Sequence, residues 1–290
     1  MNVIWSKYVQ GINTLYYSRR LRFHDMFVDQ YRALFDLNER IPLKILEIGC
    51  GPGALAAALL RWYPNAEITA IDRDTEFIRF AKANEPGIEF LEADAAELPF
   101  ADNTFDVTIS NTVSEHIEPS SFFGEQLRVL KPGGICLVLS ARKGINISPN
   151  CVASGEFENQ FWAKTTPFKE SLDKYAVCQY PMSEAELPAA MEQHGFHSVQ
   201  TGFAVIDLTP DNPRFPADMA HDMINASRYT ALDAIESAYA ELPERFSDSE
   251  IAEMKRLTTL KYDQRISQYD RGEKQWDISL SITMIVRGIK

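Results

Sequence analysis

Between Lys44 and Ser140, short apolar runs alternate with longer segments of mixed polarity. The runs "KILEIG" (44–49), "AEITAID" (66–72), "IEFLEAD" (88–94), "FDVTISN" (105–111) and "GICLVLS" (134–140) are rich in Ile, Leu and Val and bounded by Gly, Pro, Asp or Asn. Such runs predict five strands, and the stretches 54–63, 74–84 and 120–130 between them predict helices. Strand, helix and strand at this spacing imply right-handed crossovers and a parallel sheet covered on both faces. "LKPGG" at 130–134 reads as a helix stop and turn before the fifth strand.

Past residue 140 this rhythm breaks. Residues 142–182 carry no period but many aromatics: Phe157, Phe161, Trp162, Phe168, Tyr175 and Tyr180. Ser183 with Glu186 three residues on is a capping box. "HSVQTGFAVIDL" (197–208) predicts a sixth strand and "WDISLSITMIVRG" (276–288) a seventh. In the seventh, Ile278, Leu280, Ile282, Met284 and Val286 alternate mainly with polar residues, as in an antiparallel strand with one better-buried face. Helices at 217–241 and 248–270, the second opened by a capping box of Ser247 and Glu250, interrupt that final hairpin. The expected architecture is α/β: a seven-stranded, mostly parallel sheet with an antiparallel seventh strand, plus a helical cap. Its expected parts are an N-terminal cap segment at 1–42, a sheet domain at 43–207 and 276–290, and a helical insertion at 208–275.

Composition narrows the classes of function. A hydrophobic share of 45% supports a substantial core, and a net charge of −12 argues against a broad phosphate-binding surface and so against nucleic acid as partner. The first twenty residues hold no apolar stretch behind a basic start, and nowhere do 18 apolar residues run together. The expectation is a cytoplasmic protein without a membrane span. Cys50, Cys136, Cys151 and Cys178 lack both C-x-x-C spacing and the density of a disulfide scaffold, so reduced thiols are expected, with Cys50 and Cys136 as small core residues. No histidine spacing suggests a metal site.

Candidate chemistry begins at "ILEIGCGPG" (45–53), where Gly49, Gly51 and Gly53 end the first strand and precede a helix. Glycine permits φ > 0 and lets a ligand approach the main chain, and the following helix offers unpaired N–H groups. The spacing is G-x-G-x-G; in the rival dinucleotide fingerprint G-x-G-x-x-G, the third glycine position is held here by Ala54. Asp72 closes the second strand and can accept hydrogen bonds from both hydroxyls of a ribose. Asp94 closes the third and can receive an adenine amino group. Three successive strand ends therefore carry chemistry complementary to an adenosine.

"LEIGCGPG", "AID" ending at Asp72, "EADAAELPF" (92–100), "FDVTISNTVSEHI" (105–117) and "VLKPGGICLV" (129–138) resemble the class I S-adenosylmethionine-dependent methyltransferases, in the small-molecule branch called methyltransferase type 11. The resemblance implies a Rossmann-like sheet with an antiparallel seventh strand, and S-adenosyl-L-methionine as cofactor. It also implies that Glu47, Gly49, Gly51 and Gly53 surround the methionine half, with Asn111 near it. Asp72 then holds the ribose, Arg73 frames the adenosine, and Asp94 with Ala95 meets the adenine.

The implied activity is in-line methyl transfer to a small-molecule acceptor. A protein or RNA methyltransferase, or a non-catalytic cofactor-binding module, are the alternatives. His116, after strand four, is the candidate general base, with a packing or hydrogen-bonding role in its loop as the competing reading. Substrate contacts are expected from Tyr16, Tyr17 and Arg19 of "TLYYSRRLRF" (14–23), in a cap made of the N-terminal segment, the 142–182 connection and the 208–275 insertion.

Overall fold

The structure is a computed structural model and describes residues 5–167, 170 and 173–290. Its described residues pack as two units: one gathers those within 5–22, 144–175 and 207–281, the other 23–143, 176–206 and 282–290.

The strands are β1 (Lys44–Ile48), β2 (Glu67–Asp72), β3 (Glu89–Glu92), β4 (Phe105–Asn111), β5 (Leu130–Ile147), β6 (His197–Asp207) and β7 (Ile278–Ile289), and the second unit holds all of β1 to β4 and most of β5 to β7. The sheet order is β3-β2-β1-β4-β5-β7-β6. The β1–β2, β1–β4, β2–β3 and β4–β5 pairs are parallel. β7 is antiparallel. Its direction shows at Lys290, whose amide donates to Gly134 at 3.0 Å near the start of β5, while Leu280 lies against Gly144 near its end. β5 begins four residues before the predicted start, so "LKPGG" lies inside it. Phe105 pairs with Leu130 but Val107 with Ile135, so Lys131–Gly134 bulge out of the ladder. Pro132 has no N–H to give, and Gly133 takes φ +76°, which together explain why the ladder breaks there.

Both faces of the sheet are covered, which is why its central strands read as continuous apolar runs. Leu46, Ile48, Ile71, Phe105 and Val129 form one core, while Phe122, Phe123, Val138, Met191, Phe196 and Val286 form another. Cys50 and Cys136 are buried, as the sequence suggests, and burial pushes the Cys136 thiol up to about 12. The segment after Arg22 belongs to this unit. Phe23 and Tyr31 pack on Trp62, whose Nε1 donates to Asp25 at 2.8 Å, and Arg32 bonds the Trp62 carbonyl.

The first unit is helical. Helices Ile12–Arg22, Ala217–Glu241 and Asp248–Asp270 carry it, with a short helix at Glu156–Trp162 in the stretch that has no sequence period. Asp233 ties the first two together, accepting from the Thr14 amide at 2.8 Å and its hydroxyl at 3.0 Å. Tyr17 stacks on Tyr229 with centroids 4.4 Å apart. Phe161, Ile235, Phe246, Ile251 and Met254 form the core of this unit. Both capping boxes are present: the Ser247 and Ser183 amides donate to Glu250 and Glu186 at 2.9 and 2.8 Å. Among the described residues, no helix is long and apolar enough to cross a membrane.

Candidate active site

β1 lies between β2 and β4, and from it the chain order runs outward in both directions. That is the topological switch point of an open sheet, where a crevice forms beyond the carboxyl ends of the strands. The loop at 49–53 leaves β1 there. Gly49, Gly51 and Gly53 have φ of +69°, +54° and +89°, a region that disfavours any residue with a Cβ. A Cβ on Gly49 would stand 2.4 Å from Val113 Cγ2, and one on Gly53 would stand 3.0 Å from the Phe90 ring. The loop is therefore pressed against the chain leaving β4. Gly53 is also the N-cap of helix Ala54–Trp62, with no side chain to satisfy the first amides.

Asp72 organises this edge. Its Oδ2 accepts from the Gly51 amide at 2.8 Å and its Oδ1 from the Asp74 amide at 2.9 Å. Burial raises its pKa, and the two amide bonds oppose that shift. A carboxylate has about four lone-pair sites. Two are spent on the backbone, leaving one on each oxygen for a pair of adjacent hydroxyls. Glu47, 2% exposed on β1, lies close enough to Cys50 to help push its thiol pKa upward, behind the larger effect of burial. Asn111 ends β4 and is buried. After it Thr112 takes φ +56° and donates its amide to Leu139 at 2.7 Å, turning the chain toward Gly49.

Asp94 lies two residues beyond the end of β3, exposed, with Oδ1 accepting from the Ala96 amide at 2.9 Å. Ala95 packs beside the core under β1 and β2, and Arg73 is exposed next to Asp72. Glu47, the three glycines, Asp72, Arg73, Asp94, Ala95 and Asn111 thus all belong to the carboxyl-edge loops and strand ends of the sheet unit. Tyr16, Tyr17 and Arg19 lie on helix Ile12–Arg22 of the helical unit.

His116 sits in the single helical turn Ser114–His116. Its Nδ1 accepts from the Cys178 amide at 3.0 Å, and the Glu115 carbonyl accepts from the Tyr180 amide at 2.9 Å. An accepting Nδ1 places the proton of a neutral imidazole on Nε2. Burial lowers the His116 pKa; Glu115 opposes that effect and Arg73 adds to it. In this arrangement neutral His116 presents a donor at Nε2 and anchors residues 178–180. Val113, Thr112 and the 178–180 segment escaped the sequence reading. A positive φ at a threonine has no sequence signature, and the 178–180 contact is made over 62 residues.

A cofactor with an adenosine and a methionine moiety fits these groups. The cradle is one that side chains would fill, the half-buried carboxylate at the end of β2 keeps two acceptor sites, and helix Ala54–Trp62 begins beside them. Among the described residues no group of His, Cys, Asp and Glu could hold a metal ion.

Known proteins agree with this geometry. The family described as "Methyltransferase domain" matches residues 46–138. Over that segment the chain is similar to the class I S-adenosylmethionine-dependent methyltransferases. A fatty-acid O-methyltransferase of Mycolicibacterium smegmatis is 39% identical over 108 residues, 36% of this chain and 39% of the relative. A ubiquinone/menaquinone biosynthesis C-methyltransferase of Desulfotalea psychrophila is 39% identical over 99 residues, 33% of this chain and 40% of the relative. The match thus spans about two fifths of each of these relatives. Phosphoethanolamine N-methyltransferase 2 of Haemonchus contortus, solved with S-adenosyl-L-methionine, has a TM-score of 0.53 at 17% identity over 99% of this chain and 59% of its own. At that identity the likeness is one of fold.

Proposed function

We propose that this protein transfers the methyl group of S-adenosyl-L-methionine to a small organic acceptor. One observation carries the reading: the Gly51 amide and the Asp72 carboxylate are joined at 2.8 Å, so the glycine cradle and the ribose acceptor form one element. Fatty-acid and quinone methyltransferases among the relatives support a small-molecule acceptor.

The sulfonium supplies an already activated methyl group, so no covalent nucleophile is required of the protein. What remains for this chain is positioning. Asp72 holds the two ribose hydroxyls, and Asp94 and Ala95 meet the adenine. The glycine loop admits the methionine half close to the main chain, with Glu47 and Asn111 beneath it. Alignment of this kind can supply about 7–11 kcal/mol of a barrier. With its proton on Nε2, His116 donates to a substrate oxygen or fixes its loop. Acceptor choice falls to residues outside 46–138.

Titration calorimetry tests the reading. S-adenosylhomocysteine is expected to bind at one site and NAD to give no heat. Transfer of label from methyl-labelled cofactor to a panel of fatty acids and quinones tests the acceptor class. Binding of NAD without response to either adenosyl compound would overturn the proposal.

A further inference from the structure

The helical unit encloses a cavity of about 400 Å³. Ligand sites commonly span roughly 300–1,000 Å³, and a single water needs only about 30 Å³. Its shape follows from helix Ala217–Glu241, which contributes Ser227, Thr230, Ala231 and Ala234. Their spacing of i, i+3, i+4 and i+7 puts all four on one face. Four small side chains in a row leave the room that a Leu or Phe would fill. Ser227, Thr230 and Ala234 are exposed, so this wall is open to entry.

Opposite chemistry comes from other parts of the same unit. Leu21, Val152, Leu208 and Met223 make about half of the lining apolar, beside the polar Ser18, Asn146, Ser148 and Ser279. Tyr262 and Arg265, three residues apart on helix Asp248–Asp270, bring polar groups, and burial raises the Tyr262 pKa so that its hydroxyl stays protonated. Arg265 is fully buried. Its Nε donates to Asp277 at 3.1 Å and its Nη2 pairs with Asp211 at 3.0 Å, but Nη1 has no hydrogen-bond partner. An unpaired buried donor costs free energy that an acceptor in the cavity would recover. The charged residues lining the space are Arg22, Arg265 and Asp277, and Asp211 stands behind Arg265, so the charges balance. That balance gives no advantage to an ionic ligand.

We propose that this cavity is a binding site for an uncharged, largely apolar small molecule whose carbonyl or hydroxyl oxygen accepts from Arg265 Nη1. The site lies wholly within the helical unit. Its occupancy is read without the methyl-transfer cofactor, so failure here leaves the methyltransferase reading standing.

Calorimetry on the full chain with 2-nonanone, nonanoate and nonylammonium tests the proposal. The ketone is expected to bind at one site, at least tenfold more tightly than either ion. Ala231→Phe, which fills the cavity from its small-residue wall, is expected to weaken ketone binding at least tenfold while S-adenosylhomocysteine still binds as in the parent. Should that variant fail to fold, Ser227→Leu, at an exposed position on the same face, gives the same readout. The inference is overturned by any of three results: no ketone binding up to its solubility, equal or tighter binding of an ion, or ketone affinity unmoved by the cavity-filling variant.

Discussion

The amide of Gly51 donates to Oδ2 of Asp72 across 2.8 Å, joining the end of β1 to the end of β2. Asp72 thus holds the loop, and under the proposed function it also meets the ribose. Asp72→Ala removes a charged acceptor, and hydrogen bonds to charged groups are worth roughly 1.5–3 kcal/mol. Affinity for S-adenosylhomocysteine is expected to fall at least tenfold by calorimetry. Thermal stability should fall too, because the Gly51 and Asp74 amides lose their acceptor. Unchanged affinity would remove Asp72 from the site.

Gly49 separates two costs. Gly49→Ala incurs the left-handed backbone penalty, about 1–2 kcal/mol, and a clash with Val113 Cγ2, 2.4 Å from the new Cβ. Gly49→Ala with Val113→Ala relieves the clash alone. Denaturant melts should show the single variant destabilised and the double variant more stable than additivity of the two single changes predicts. Additive values would mean the loop moves freely away from Val113.

His116 sets a pH dependence. Burial lowers its folded pKa from the ordinary histidine value of about 6.5, so below that pH the unfolded chain takes up the proton more readily than the folded one. Stability is therefore full above about pH 6.5 and is lost as pH falls toward the lowered folded value. Protonation also turns Nδ1 into a donor and breaks its bond from the Cys178 amide. Relative to its intrinsic rate at each pH, hydrogen exchange at Cys178 is expected to accelerate below that pH in the parent but not in His116→Gln, whose amide oxygen does not titrate. Equal acceleration in both proteins would assign the effect elsewhere.

Arg265 pairs with Asp211 and Asp277, and Asp211 also accepts from the amides of Gln275 and Trp276 at 2.7 Å each. Arg265→Leu strands two carboxylates, and breaking a buried pair in this way costs about 3–5 kcal/mol. Adding Asp211→Asn and Asp277→Asn removes the stranded charges and should recover much of that loss in denaturant melts. No recovery would mean that packing of the guanidinium, rather than its charge, holds this corner.

What the sequence disclosed follows from the range of the forces involved. The five strands between Lys44 and Ser140, the antiparallel β7 and both long helices were legible because apolar periodicity and caps are local; Ser247 and Glu250 mark a helix start within four residues. Asp72 and the glycines were legible because strand ends and φ > 0 positions restrict residue type. The bulge at Lys131–Gly134 was misread as a turn, since Pro132 and Gly133 suit either. The His116 contact with residue 178 and the corner at Arg265 rest on distant partners with no periodic trace. Nor does the sequence separate Arg22 from Phe23, although Tyr16 packs with one unit and Phe23 with the other.

That division constrains how the chain is made. Helix Ile12–Arg22 is synthesised before the sheet strands, yet the acceptor for its Thr14 amide, Asp233, comes 219 residues later. Domain-by-domain folding behind the ribosome proceeds from the N-terminus. Here the sheet strands β1 to β5 emerge while Leu15, Tyr16 and Leu21, buried in the finished protein, still lack their partners in 207–281. This helix must wait for residues 207–281, and during that wait the nascent protein carries an uncovered apolar face that a chaperone or a neighbouring nascent chain can find.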